Sequence, residues 1–228
     1  MKKFDEILMR TLGIEGGVSD DPDDRGGLTN FGIVTKTYNA AVELGIIEAN
    51  ENGVRGLSII EVKAIYYEMY WKPLNLDYVD SVAIAEEIFD TGVNAGISKS
   101  AKIVQRALQA LGEDLERDGN LGPVTLGLVN KWIKEAPEVF FKLLNALQGA
   151  FYVEITENDP SQSKFLKGWI NKRVTFYVEP KEEEETDGLV EDDENKPEEE
   201  NTGGGDEEKS GQRRQRREKG FKGLATEG

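Results

Sequence analysis

A mainly helical fold interrupted by one small irregular β hairpin is what the 228-residue sequence predicts, and three observations carry it. Apolar residues recur at spacings of three and four as far as about residue 178, the period of helices with one buried face. Residues 15–34 break that period and are rich in Gly, Asp and Thr. From residue 179 apolar residues become scarce, which predicts a disordered acidic tail.

In chain order, Phe4, Ile7, Leu8, Thr11 and Leu12 form a first helical stripe that ends at Gly13. The run Gly26-Gly27-Leu28-Thr29-Asn30-Phe31-Gly32-Ile33-Val34 fits a short hairpin or an irregular loop. Ser58-Ile59-Ile60-Glu61 is a capping-box pattern, in which hydroxyl and carboxylate satisfy the free N–H groups of a helix start. It predicts a helix through about Tyr70. A helix from Val82 to about Asn94 is stopped by Gly96. Ser98 then caps another, carrying Ile103, Val104, Ala107, Leu108 and Leu111 and closed by Gly112. Pro137 suits the first turn of a long helix through Phe140, Leu143, Leu144, Leu147 and Phe151. Leu166, Trp169, Ile170, Val174 and Tyr177 make the apolar face of a last helix, with Trp169 read as a core anchor before a sugar platform.

The composition narrows the chemistry. With no His and no Cys there is no Ser-His-Asp triad, no Cys-His pair, no disulfide and no His- or Cys-ligated zinc, so acid-base work falls to carboxylates. The formal net charge of -16 divides unevenly, because residues 180–228 hold 17 acids and 9 bases. Residues 181–208 alone contain 15 acids and two lysines, and residues 209–222 reverse the sign. A net-acidic chain argues against nucleic acid as the main partner. No run approaches the roughly 18 apolar residues of a membrane span, so no membrane insertion is expected. Asp5 and Glu6 stand where a signal peptide needs an apolar stretch, which predicts a protein made in the cytoplasm without one.

The segment from Glu15 to Ile33 carries the candidate chemistry. Glu15 lies beyond the first amphipathic stripe, beside Ile14 and before two glycines that permit close approach. A carboxyl held there against apolar groups keeps its proton near neutrality, whereas Asp24, in a polar run, stays ionised. Two carboxyls in unlike environments are what glycoside hydrolysis requires. The alternative is that these acids are caps and solvated turns. A calcium loop does not fit, since Arg25 occupies the fifth position of Asp21-x-Asp23-x-Arg25-Gly26 and Gly32 the place of the bidentate Glu.

These residues resemble the glycoside hydrolase family 108 muramidases of phage endolysins and related bacterial proteins. The resemblance starts at Glu15-Gly16-Gly17, continues through Asp24 and Gly26-Gly27-x-Thr29, and closes on Phe31-Gly32-Ile33, with Arg25 where the family often has Pro. It extends to Tyr70-Trp71-Lys72-Pro73-Leu74, then to Phe89-Asp90-Thr91-Gly92-Val93-Asn94-Ala95-Gly96 and Gln105. Asp118-Gly119-Asn120-Leu121-Gly122-Pro123-Val124-Thr125 looks like the turn of small helical peptidoglycan-binding modules, and residues 165–174 look like the closing segment of the family's predicted peptidoglycan-binding region.

The resemblance implies a lysozyme-like α+β fold. It implies a catalytic region over 1–97, a helical peptidoglycan-binding region over 98–178 packed on it, and the tail over 179–228. The implied activity is that of a phage-type lysozyme or endolysin, cutting the β-1,4 bond from N-acetylmuramic acid to N-acetylglucosamine in the bacterial cell wall. Glu15 is then the general acid, Asp24 the second carboxylate and Thr29 the residue that positions water or the Asp. Asp90, Asn94 and Gln105 are the expected sugar-binding residues; capping of the helix end beside Gly96 is an equal reading of the first two. No cofactor is needed, peptidoglycan is the partner, and a monomer is expected. A non-catalytic wall-binding or virion protein on the same fold is the alternative. Without a signal sequence, such an enzyme reaches the wall through a separate membrane pore or inside a phage particle.

Overall fold

The computed structural model describes residues 2–13, 18–19 and 29–175. Helix α1 (Lys2–Gly13) comes first, followed by strands β1 (Val18–Ser19), β2 (Thr29–Asn30) and β3 (Ile33–Val34), which pair antiparallel in the order β1-β2-β3. The helices that follow are α2 (Thr35–Glu43), α3 (Ile59–Tyr66), α4 (Val82–Ala95), α5 (Ile97–Ala110), α6 (Pro123–Glu135), α7 (Pro137–Asn158) and α8 (Ser163–Arg173). The mainly α, lysozyme-like α+β class with a small hairpin is thus the class observed. The expected tail, together with Tyr177, lies outside the described residues.

The capping box at α3 forms as its sequence requires, with Ser58 N–H donating to Glu61 Oε2 at 2.8 Å and Glu61 N–H to Ser58 Oγ at 3.3 Å. Beyond Tyr66 the helix widens into a π turn over Tyr67–Trp71. Trp71 at the end of that turn is fully buried, and its indole N–H donates to Asp77 Oδ1 at 3.0 Å. Its ring meets Phe4 and Phe89 edge to face, with centroids 5.2 and 5.6 Å away. This aromatic group joins α1, the π turn and α4.

Helix α4 is the centre of the molecule. Ile84, Ala85, Ile88 and Phe89 are buried along it, and α1, α5 and α7 pack around it. Gly92 lets α5 and the 72–76 turn come close, since a Cβ there would lie 2.7 Å from Leu74 Cδ1; Ser100 Oγ donates to the Ile88 carbonyl at 2.7 Å.

The α4–α5 junction corrects the expected cap at Ser98. Gly96, at φ +88 and ψ 150, turns the chain in one residue, so α5 begins at Ile97 with no room for a serine cap. Helix α2 was not expected. It buries only Tyr38 and Ala41, and Val34 before it offers no side-chain cap.

One hydrophobic core runs from Phe4 and Ile7 of α1 to Phe140 and Leu144 of α7. Burial at this scale, about 25 cal/mol per Å² of apolar surface, is what holds such helices together. The core does not divide at residue 97, and Met1–Lys181 forms one compact unit. Among the described residues no helix is long and apolar enough to cross a membrane.

Candidate active site

Glu15 and Asp24 lie outside the described residues, and what is described is the frame beside them. In chain order Glu15 falls between α1 and β1, and Asp24 between β1 and β2. Thr29 belongs to β2, where its backbone is paired with Ser19 on one side and Val34 on the other.

The β2–β3 hairpin is tightly built. Asn30 pairs with Ile33 across a two-residue turn, and both turn residues have positive φ, +51 at Phe31 and +73 at Gly32, as a type I′ turn demands. Glycine takes that geometry at no cost, whereas phenylalanine must be held in it. The Tyr66 hydroxyl does this by donating to the Phe31 carbonyl at 2.9 Å. The other anchor is Asn30, which is buried and donates from Nδ2 to the carbonyls of Val54 at 3.1 Å and Arg55 at 3.3 Å. Sequence reasoning had placed Phe31 and Gly32 in a motif but missed Tyr66, whose position on the buried face of α3 was its one signal.

Asp90 and Asn94 do share one face of α4, four residues apart. Asn94 is exposed, and its Nδ2 donates to the Asp90 carbonyl at 2.7 Å and to Asp90 Oδ1 at 3.2 Å. The Asp90 carboxylate is half-buried and occupied from three directions. Arg173 Nη1 of α8 lies 2.5 Å from Oδ1, Gln148 Nε2 of α7 donates to Oδ2 at 3.2 Å, and Asn94 completes the set. Burial raises the Asp90 pKa, and the Arg173 guanidinium opposes that rise. Tyr66 is close enough to feel the charges of both Arg173 and Asp90, which connects the hairpin anchor to this ion pair.

Gln105 requires a correction. It is 1% exposed, and its amide is consumed inside the protein. Nε2 donates to Asp118 Oδ1 at 2.6 Å and to the Asn120 carbonyl at 2.9 Å, while Oε1 accepts from Gly119 N–H at 2.9 Å. These bonds build the 118–120 turn, with Gly119 at φ +81, and leave no amide proton for a sugar. The same bonds, with the Asn120 N–H, hold the Asp118 carboxyl below its ordinary pKa.

The family model for glycosyl hydrolase 108 matches residues 8–96, the stretch with Glu15, Asp24, Thr29, Asp90 and Asn94. Residues 8–96 thus resemble the glycosyl hydrolase 108 family. A second model, described as a predicted peptidoglycan domain, matches residues 99–174 and takes in Gln105, Gln148 and Arg173. Among solved structures the chain is similar to SagA of Brucella abortus, at 25% identity and a TM-score of 0.61, over 75% of this chain and 88% of that one. No curated protein matches. The two matches together support a glycoside hydrolase that acts on peptidoglycan.

The Asp90–Arg173 pair therefore crosses from one matched region to the other. Beside it lies a carboxyl that sequence reasoning missed, Glu87, only 6% exposed. Burial pushes its pKa up to about 8, the neighbouring Asp90 charge adds to the rise, and a hydrogen bond with Asn145 offsets part of it. A glutamate one turn before Asp90, among the buried positions Ile84, Ile88 and Thr91, was the available signal.

Proposed function

We propose that this protein is an N-acetylmuramidase, cutting the β-1,4 bond between N-acetylmuramic acid and N-acetylglucosamine. Glu15, protonated, donates to the glycosidic oxygen as an oxocarbenium-like transition state develops. Asp24 activates water or stabilises the developing charge, and Thr29 positions one or the other. Two carboxyls and water complete the reaction, so no cofactor enters it. Asn94, exposed on α4, meets the sugar chain, and Asp90 is a positioning residue that holds it.

The observation that carries this reading is the anchored hairpin. Asn30 and Tyr66 fix β2 and β3, and Thr29 begins the fixed segment directly after the stretch that contains Glu15 and Asp24. Catalysis by two carboxyls requires a rigid mount, because small displacements of a reacting group are costly in rate.

The test is digestion of isolated peptidoglycan with mass spectrometry of the fragments. N-acetylmuramic acid at the new reducing ends is the expected result; N-acetylglucosamine ends or cut peptides would refute the bond assignment. Glu15→Gln is expected to fold normally and to lose at least about a thousandfold in turnover, in the range for loss of a principal general acid. Full activity in that variant would move the acid elsewhere. We also read the protein as a phage-type endolysin working as a monomer. Lysis on expression only when a membrane pore is supplied, and a monomer mass in solution, are the expected observations.

A further inference from the structure

Asn94 is exposed near the end of α4, and the two halves of its amide are used unequally. A side-chain amide carries two N–H donors and one carbonyl acceptor. Nδ2 spends its donors on Asp90, at 2.7 Å from the main-chain carbonyl and 3.2 Å from Oδ1. Oδ1 of Asn94 takes no hydrogen bond among the described residues. An asparagine that only closed a helix end would use the carbonyl four residues back and leave the carboxylate alone.

The chemistry of those partners fixes the orientation. A carbonyl and an ionised carboxylate only accept, so the nitrogen of Asn94 lies against them and its oxygen is left for another donor. A protonated Asp90 reverses this, because its O–H donates and the Asn94 amide turns over to receive it. The charge on Asp90 therefore decides which group Asn94 offers outward. Arg173, 83 residues away, stands against that carboxylate. It ends α8, and the chain just beyond it is held by the Thr175 N–H, which donates to Asn145 Oδ1 at 2.7 Å. Lys164 and Lys167 of the same helix are exposed, whereas the Arg173 and Asp90 side chains are only 28% and 22% exposed. Burial favours the proton on Asp90, Arg173 is the strongest influence against it, and the bonds from Gln148 and Asn94 add to Arg173.

We infer that Arg173 is a positioning residue which, through the Asp90 carboxylate, keeps the Asn94 carbonyl turned outward to accept the acetamido N–H of a bound sugar. The inference rests on the reading of Asn94 as a sugar contact in a peptidoglycan hydrolase. The acetamido group is the donor that requires such a device. A sugar hydroxyl both donates and accepts and would bind either face of the amide, whereas an N–H only donates and needs a fixed acceptor. A residue of the second matched region thus sets the specificity of a contact in the first.

The experiment is calorimetric binding of a peptide-free tetrasaccharide of alternating N-acetylglucosamine and N-acetylmuramic acid to the full chain. A Glu15→Gln background keeps the sugar intact, and pH is lowered from about 7 to about 4. Over that range Glu87, Tyr66 and Tyr152, the other titratable groups whose charges bear on Asp90, hold their protons, and Arg173 keeps its charge. Affinity should hold until Asp90 takes up its proton and then fall about tenfold, the worth of one hydrogen bond. Arg173→Gln should move that fall upward by at least about one pH unit, Arg173→Lys should leave it nearly in place, and Asp90→Asn should abolish it. A fall at the same pH with and without Arg173, a fall that survives Asp90→Asn, or a chain that binds no tetrasaccharide overturns the inference. A thermal melt checks each variant; should Arg173→Gln melt early, Arg173→Met, which keeps the apolar stem, replaces it under the same criteria. The expected pH behaviour in a protein that cleaves no glycan would refute the muramidase reading and leave this one standing.

Discussion

Two buried polar groups in this protein are built in opposite ways. Around Gln105 each amide group has a partner, and the result is a fixed turn at 118–120. Around Glu87, at the meeting of α4, α7 and α8, the Asp90–Arg173 pair and the Gln148 bonds to Asp90 and Thr91 are made. Yet Glu87 Oε1, Gln148 Oε1 and the Tyr152 hydroxyl have no hydrogen-bond partner among the described residues. A buried polar atom without a partner costs about 1–3 kcal/mol. The first group therefore supports the fold, while the second taxes it at the seam between the two matched regions. The seam lies in a continuous hydrophobic core, so apolar burial offsets that cost and the two regions stand as one unit.

The sharpest way to break this contrast is to neutralise Glu87. Its folded-state pKa of about 8 stands above the ordinary value of 4.5, so the folded protein holds a proton that the unfolded chain releases. Its contribution to stability is full below about pH 4.5 and declines as pH rises toward 8, by about 1.4 kcal/mol per pH unit at most. Glu87→Gln removes the titration. Urea unfolding should find the two proteins separated by a pH-independent difference at pH 4 and below, with the variant gaining up to about 3 kcal/mol on the parent by pH 7. A stability difference that is flat from pH 4 to 8 would show that Glu87 ionises normally and that the seam carries no such cost.

Gln105→Ala should cost about 2 kcal/mol, because Gly119 N–H and one side of the Asp118 carboxylate lose their partner together. Turnover on a soluble oligosaccharide should stay within about twofold, since the loss falls on a turn and not on a reacting group. A rise in KM without loss of stability would return Gln105 to the sugar site and undo the distinction between the two polar groups.

The contrast also explains what the sequence could and could not disclose. The α3 cap, α4 with its stop at Gly96, and the start of α7 were legible because each depends on neighbours in sequence: Ser58 on Glu61, Gly96 on its own φ, Pro137 on its place in a first turn. The partners of Gln105 were not, although Asp118 and Asn120 had been noticed as a turn, because hydrogen bonds across 13 to 15 residues leave no periodic trace. Arg173 is 83 residues from Asp90, and Tyr66 is 35 from Phe31. Helix α2 escaped because it buries just two residues and so shows a weak stripe. Motif order located the candidate chemistry, whereas the supports of that chemistry are tertiary.

Tyr66 gives the smallest stability effect and the most direct link from fold to activity. Tyr66→Phe removes one hydroxyl that is bonded to the Phe31 carbonyl, for an expected loss of about 1 kcal/mol. The ring still packs against Phe89 and Tyr70, so the core is preserved. What changes is the hairpin turn, where Phe31 at φ +51 loses the contact that holds it and can relax. If the turn positions the neighbouring carboxyl-bearing segment, kcat should fall by about tenfold with a smaller change in KM, the pattern of lost transition-state geometry. Steady-state kinetics on a soluble glycan, beside urea unfolding, separates the two effects. Loss of stability with unchanged kcat would make Tyr66 a scaffold residue like Gln105 and would remove the anchored hairpin as support for Glu15 and Asp24.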